Sequence, residues 1–183
     1  QDLDKAIADN LPQYLEEVPS DIADDWTKAE DPESVVVPSV QRVEPTAASI
    51  AEGRKLFLSD KTKCADCHGK SAEGNGVATD QYWPITGSNL KYDEAGLHDD
   101  WGNLQLPRNL TRGQYRGGRR PIDLFRRIYA GIKGTQMPAF GKGSLTDEQI
   151  WHVVNYVMSV PFEGDKPKPE TAPEKKTSVA ATR

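Results

Sequence analysis

The sequence predicts an all-α fold, built as one domain with an extension at each end. Three observations carry that expectation. Three segments place apolar residues three and four apart and carry helix start or stop signals. No stretch repeats, and none reads as a confident strand. With 183 residues, 36% hydrophobic and 28% charged, the chain can furnish one modest core. No apolar run approaches the ~20 residues that a helix needs to cross a bilayer, and the longest β-branched run is Val35-Val36-Val37. The chain opens on Gln1 without a signal-peptide pattern, so the expectation is a removed leader or anchor, or a piece of something longer.

Residues 1–48 mix acidic side chains, five prolines and short apolar islands at Leu11, Tyr14, Leu15, Trp26 and Val35 to Val37. Leu3 to Leu15 suits a helix broken at Pro12. The remainder reads as an irregular extension that packs on the body, or else as a disordered tether by its composition. A helix is expected from Ser49, since Ser49 and Glu52 have capping-box spacing and Ile50, Gly53, Leu56 and Phe57 share one face. It leads into Cys64-Ala65-Asp66-Cys67-His68-Gly69. Residues 69–107, rich in Gly, Asn, Asp and Trp, form a long loop, and long ordered loops are commonly functional. Pro121 suits the first position of a second helix, with Leu124, Phe125, Ile128, Tyr129 and Ile132 on its apolar face and Gly131 and Gly134 near its end. The last helix has a full start signal: Thr146 as cap, Gln149 closing the capping box, and Leu145 with Ile150 as a hydrophobic staple. Ile150, Val153, Val154 and Val157 line its buried face, and Pro161 stops it. Residues 164–183, rich in Lys, Pro, Glu and Thr, read as a disordered tail or linker.

The formal net charge of −5 hides an asymmetry: −9 over residues 1–48, +2 over 49–163 and +2 over 164–183. Residues 108–133 alone hold +7, from Arg108, Arg112, Arg116, Arg119, Arg120, Arg126, Arg127 and Lys133 against Asp123. Three readings stay open for this stretch: a face that steers an acidic partner, a cradle for the acidic extension of the same chain, or a solvated surface. An acidic chain with no aromatic platform among its arginines argues against nucleic acid as a partner.

Two cysteines are too few for a disulfide scaffold, but Cys64-x-x-Cys67-His68 has the spacing of covalent haem attachment. Two thiols one helical turn apart reach the two vinyl groups on one edge of a porphyrin, and the next residue offers its imidazole to the iron. Competing readings are a redox dithiol, which would want a βαβ context that is absent, a strained disulfide, and a zinc site completed by distant His98 and His152. Met137, 69 residues after His68, strengthens the haem reading. Pro138 pushes its backbone away from the helical region, so it projects from a loop, and a thioether is a soft ligand that raises a haem potential. The rival thioether, Met158, lies beside the Val153–Val157 stripe and suits core packing. His98, in Leu97-His98-Asp99-Asp100, is expected to be exposed, as is His152 beside Glu148, Asn155 and Ser159.

Taken together, these residues resemble the class I c-type cytochromes with one haem. The resemblance spans about residues 49–162 and rests on an ordered set: Gly53 and Phe57, Cys64 to Gly69, Gly74-Asn75-Gly76, Pro107-Arg108-Asn109-Leu110-Thr111, Asp123-Leu124-Phe125 through Gly131, Met137-Pro138-Ala139-Phe140, and an aromatic-containing last helix. It implies an all-α fold around one haem c bound through Cys64 and Cys67, with an irregular N-terminal extension and an enlarged loop added. The first and last helices would cross near Gly53, with Tyr156 or Trp151 packed close. His68 would be the proximal ligand and Met137 the distal one. A proline carbonyl would accept the proton of the other His68 nitrogen, from Pro107 or its rival Pro84. Leu110 and Phe140 would wall the haem pocket, and Arg108, Trp101 and Tyr115 are candidate propionate donors. The enlarged loop, with Trp83 and Trp101, would cover a haem edge or form a docking surface.

The function implied is one-electron transfer, as a soluble carrier or as the electron-entry domain of a larger respiratory complex, rather than catalysis. A gas sensor or enzyme with a labile sixth ligand is the second reading, and a structural haem subunit tethered to a membrane complex through a missing anchor or fusion is the third. One CxxCH excludes a two-haem peroxidase. A redox protein partner is expected, an acidic one if it docks on residues 108–133. Covalent haem attachment in this family takes place outside the cytoplasm, so the resemblance implies the periplasm or an equivalent compartment.

Overall fold

The computed structural model describes residues 3–85, 87–141 and 143–165, so the expected tail lies outside the described residues from residue 166 onward. The chain divides into two compact units, Gln1–Ser39 and Val40–Arg183.

The first unit is a helix, α1, over Leu3–Glu30, followed by a single 3₁₀ turn at Pro32–Ser34. The expected break at Pro12 does not occur, and the helix also runs through Pro19. Each proline removes one helical donor, at a cost of about 3 kcal/mol in a helix interior. Apolar side chains at Ile7, Leu11, Tyr14, Val18, Ile22 and Trp26 recur three or four apart across both prolines, giving one continuous stripe. The turn after α1 is capped by Asp31, whose carboxylate accepts from Glu33 N at 2.9 Å. The irregular course expected of the extension holds only beyond this turn.

The second unit is built on a crossing of α2, Ala47–Phe57, with α5, Asp147–Ser159. Gly53 makes the crossing possible, because a Cβ there would run into the His152 carbonyl and Tyr156 Cβ. Tyr156, not Trp151, is thus the aromatic packed at the crossing, and it meets Phe57 edge-on at 5.2 Å. Trp151 faces the other way, 4.5 Å from Phe125. The cap of α2 is Thr46, three residues ahead of the expected Ser49. The Thr46 hydroxyl accepts from Ser49 N at 3.2 Å, which frees Ser49 for the crossing itself. There Ser49 Oγ accepts from Asn155 Nδ2 at 2.9 Å and meets His152 Nδ1 at 2.8 Å. His152 is therefore half-buried and bonded, not on the open surface as expected. Asn155, 1% exposed, also donates to Val43 O and accepts from the Arg42 guanidinium. The Trp151 indole donates to Val40 O, so residues 40–43 are pinned along α5.

The helix α4, Pro121–Ala130, begins at its proline as expected and ends at Gly131, whose φ of 69° favours glycine. Leu124, Phe125 and Ile128 are its buried residues. Thr146 and Gln149 form the expected capping box of α5. In the enlarged loop, where no strand was expected, β1 (Leu97–His98) pairs antiparallel with β2 (Leu104–Gln105). Its turn is organised by Asp99, whose carboxylate accepts from Trp101 N, Asn103 N, Asn103 Nδ2 and Gln105 Nε2. Burial alone would raise this carboxyl, but the donors outweigh it and hold it below its usual range.

Candidate functional site

A single turn of helix, α3, spans Cys64–His68. Thr62 sets its entry: the hydroxyl, buried, donates to Leu56 O at 2.6 Å and ties α3 to the end of α2. Cys64 and Cys67 lie one turn apart, half-buried, and do not form a disulfide with each other. Burial pushes both thiols up, against a lowering hydrogen bond from Thr62 at Cys64. That is the opposite of an activated redox dithiol, whose thiol is lowered. The glycines of Gly74-Asn75-Gly76 close the far end of the turn. Gly74 N donates to His68 O at 2.7 Å and Gly76 N to Cys67 O at 3.1 Å. A Cβ at Gly76 would strike the Asp66 and Ala65 carbonyls, so the loop can lie this close only as glycine.

His68 Nδ1 lies 3.1 Å from the Arg108 carbonyl. A carbonyl only accepts, so Nδ1 carries the proton and Nε2 keeps its lone pair for a metal. Burial lowers the imidazole below its usual range, although the Arg108 bond opposes the shift, so the neutral, ligating form prevails at neutral pH. The orienting carbonyl is thus that of Arg108, one residue beyond the expected Pro107. The Pro107 carbonyl lies against Gly74 instead, where a Cβ would run into it. Pro84, the rival, lies in the enlarged loop, bridged to Lys91.

The remaining expected residues fall into three groups. Leu110 and Phe140 are buried, and Leu110 is fastened to the glycine loop by its amide, which donates to Ala72 O at 2.8 Å. Met137 is half-buried in the loop that leaves α4, where its carbonyl accepts from Ile132 N at 3.1 Å. Of the propionate candidates, Arg108 is exposed with its guanidinium on Gln114 O, and Trp101 is 80% exposed over Gly134. Tyr115 donates its hydroxyl to Val157 O at 3.0 Å and so braces α5. Burial pushes its phenol up.

The other sulfur and imidazoles are engaged differently. Met158 Sδ, on α5, accepts from Arg42 at 3.8 Å. His98, expected to be exposed, is buried at 3% exposure, stacked on Tyr92 at 3.8 Å with Nδ1 donating to Gly96 O. Among the described residues no three His, Cys, Asp or Glu side chains converge as a metal site, so the zinc reading lacks its ligands. The donor set that does converge fits haem c: two thiols on one turn, and an imidazole whose free nitrogen is set by a carbonyl.

A surface hollow of about 500 Å³ borders the Met137 loop through Gly131 and Ile132 and is lined by Gly117, Asp123, Arg126, Arg127 and Lys133. Burial lowers the Arg127 guanidinium from its ordinary value. Asp123 is tied to the Arg120 guanidinium at 2.8 Å, and this pairing holds its carboxyl low.

The family model described as Cytochrome c matches residues 50–161. Among solved structures, the chain is similar to one from the Kuenenia stuttgartiensis reducing HAO-like protein complex Kustc0457/Kustc0458, at 29% identity and a TM-score of 0.56. The match covers 69% of this chain and 50% of that one, so the chain spans about half the length of that relative. No curated protein matches it. With a haem-attachment turn at Cys64–His68 and a family match that begins at α2 and runs through α5, the chain belongs to the cytochrome c family, binds haem c covalently and serves haem-based electron transfer.

Proposed function

We propose that this chain is the electron-transfer module of a larger redox assembly outside the cytoplasm, with His68 and Met137 as the axial ligands. The observation that carries the ligand assignment is the Nδ1–H bond from His68 to the Arg108 carbonyl, which leaves Nε2 as the nitrogen that meets iron. Bound haem supplies a one-electron ferrous/ferric couple. Cys64 and Cys67 hold it to α3, so that His68 and the macrocycle are positioned as one body. Met137 would offer a thioether from the loop after α4, which favours the reduced state. With His68 and Met137 both holding the iron, no position would be left for a substrate, and the chain would act as a carrier rather than as an enzyme. The basic face around Arg126, Arg127 and Lys133 suits an acidic redox partner. The likeness to a chain of a protein complex, twice as long as the matched segment, favours an assembly over a soluble carrier.

Two measurements test this reading. Visible spectra are expected to show low-spin c-type bands, a methionine-to-ferric charge-transfer band, and no change when carbon monoxide meets the reduced protein. A high-spin spectrum or ready carbon monoxide binding would favour the sensor reading instead. Purified under gentle conditions from the cells that make it, the chain is expected to migrate with a second redox protein. Migration alone would return it to the class of soluble carriers.

A further inference from the structure

The enlarged loop reaches the Met137 loop, and the two are bonded together. Residues 131–137 turn on hydrogen bonds made within the loop: Ile132 N to Met137 O at 3.1 Å, Thr135 Oγ1 to Ile132 O at 2.9 Å, and Met137 N to Thr135 Oγ1 at 3.2 Å. The hairpin β1–β2 stands beside them as a firmer body. Its His98 ring is buried and stacked 11° from parallel on Tyr92. Its turn is held by the Asp99 carboxylate and its four donors. Two bonds cross from one body to the other. Gln136 Nε2 donates to His98 O at 3.0 Å, and Asp100 N donates to Gly134 O at 3.0 Å. The Trp101 ring lies over Gly134, where a Cβ would touch it.

We infer that the hairpin 97–105 is a clasp for the axial loop and that Gln136 is its positioning residue. Met137 sits between two constrained neighbours. Gln136 is anchored to the hairpin, and Pro138 confines the backbone of the residue before it. The side chain of Met137 then has little freedom to swing away, and the clasp shifts the balance between bound and displaced thioether. The inference rests on the reading of Met137 as axial ligand.

The test compares the ferric holoprotein with Gln136→Leu, with Asp99→Asn, and with Ser49→Ala as a control that loosens the α2–α5 crossing instead. Imidazole binding to the iron reads how readily Met137 gives way. Loss of one neutral hydrogen bond is worth about a fivefold change. Gln136→Leu is therefore expected to bind imidazole about fivefold more tightly, with a lower reduction potential. Asp99→Asn should move both readings the same way, and Ser49→Ala should leave both in place. Hydrogen exchange reads the clasp without the iron: the Asp100 and Ile132 amides should exchange about fivefold faster in Gln136→Leu. Wild-type imidazole affinity and wild-type exchange in Gln136→Leu would overturn the clasp. So would an equal gain in Ser49→Ala, because the cause would then be general softening. If the parent protein lacks the charge-transfer band, the ligand reading itself fails and takes the clasp's role with it.

Discussion

One backbone carbonyl decides what His68 can do. Its Nδ1 is committed to Arg108 O, so the ring has a single tautomer with a free nitrogen to offer. That bond was foreseen in kind, though one residue early, at Pro107. The family resemblance implies a carbonyl on the ring, from Pro107 or Pro84, but which carbonyl faces it depends on how the chain after the long loop packs against Gly74. The two methionines make the matching test. Met137→Ala is expected to abolish the charge-transfer band, admit carbon monoxide and lower the potential by on the order of a hundred millivolts, within the roughly 0.8 V range that axial ligands command. Met158→Leu, a near volume-conserving change beside Arg42, is expected to leave the visible spectrum and potential unchanged. Spectroelectrochemistry of the two variants checks both.

At the scale of elements, the contact between α2 and α5 is the packing centre of the second unit. Gly53, with no Cβ, lets the two backbones approach closely, and Asn155 links that contact to three partners, Arg42, Val43 and Ser49. Gly53→Val is expected to cost about 1–3 kcal/mol or more, since overpacking forces the backbone apart. Ala51→Ser, on the exposed side of the same helix, should stay within about 0.5 kcal/mol. Denaturant midpoints of the reduced holoproteins measure both. Gly53 is legible in the sequence on the face of Ile50, Leu56 and Phe57, while its partner aromatic, Tyr156 or Trp151, is given only by the family resemblance. The polar knot of Ser49, His152 and Asn155 is not, since each looks like a surface residue until the second helix is laid across it.

For the whole molecule, the question is which charge a partner meets. The chain carries −5, but the basic hollow beside the Met137 loop carries Arg126, Arg127 and Lys133. If electrons leave near this face, oxidation of the reduced protein by anionic hexacyanoferrate should slow as salt rises, because local attraction is screened with a Debye length of about 10 Å at 0.1 M. If the net charge governs, the rate should rise with salt instead. Stopped-flow rates across ionic strength separate the two.

The chemistry of the cofactor and the order of the helices are written locally in the chain. Cys64, Cys67 and His68 are close in the chain, so one turn of helix assembles them, and caps such as Thr146 and stops such as Gly131 act over a few residues. Tertiary structure alone decided the contacts between distant segments. It chose Arg108 over Pro107, turned Tyr115 toward Val157, buried His98 against Tyr92 and joined Gln136 to a hairpin that no local pattern announced. Local signals are written in residues a turn apart, whereas these pairings depend on which loops the folded core brings within hydrogen-bonding or stacking distance of each other.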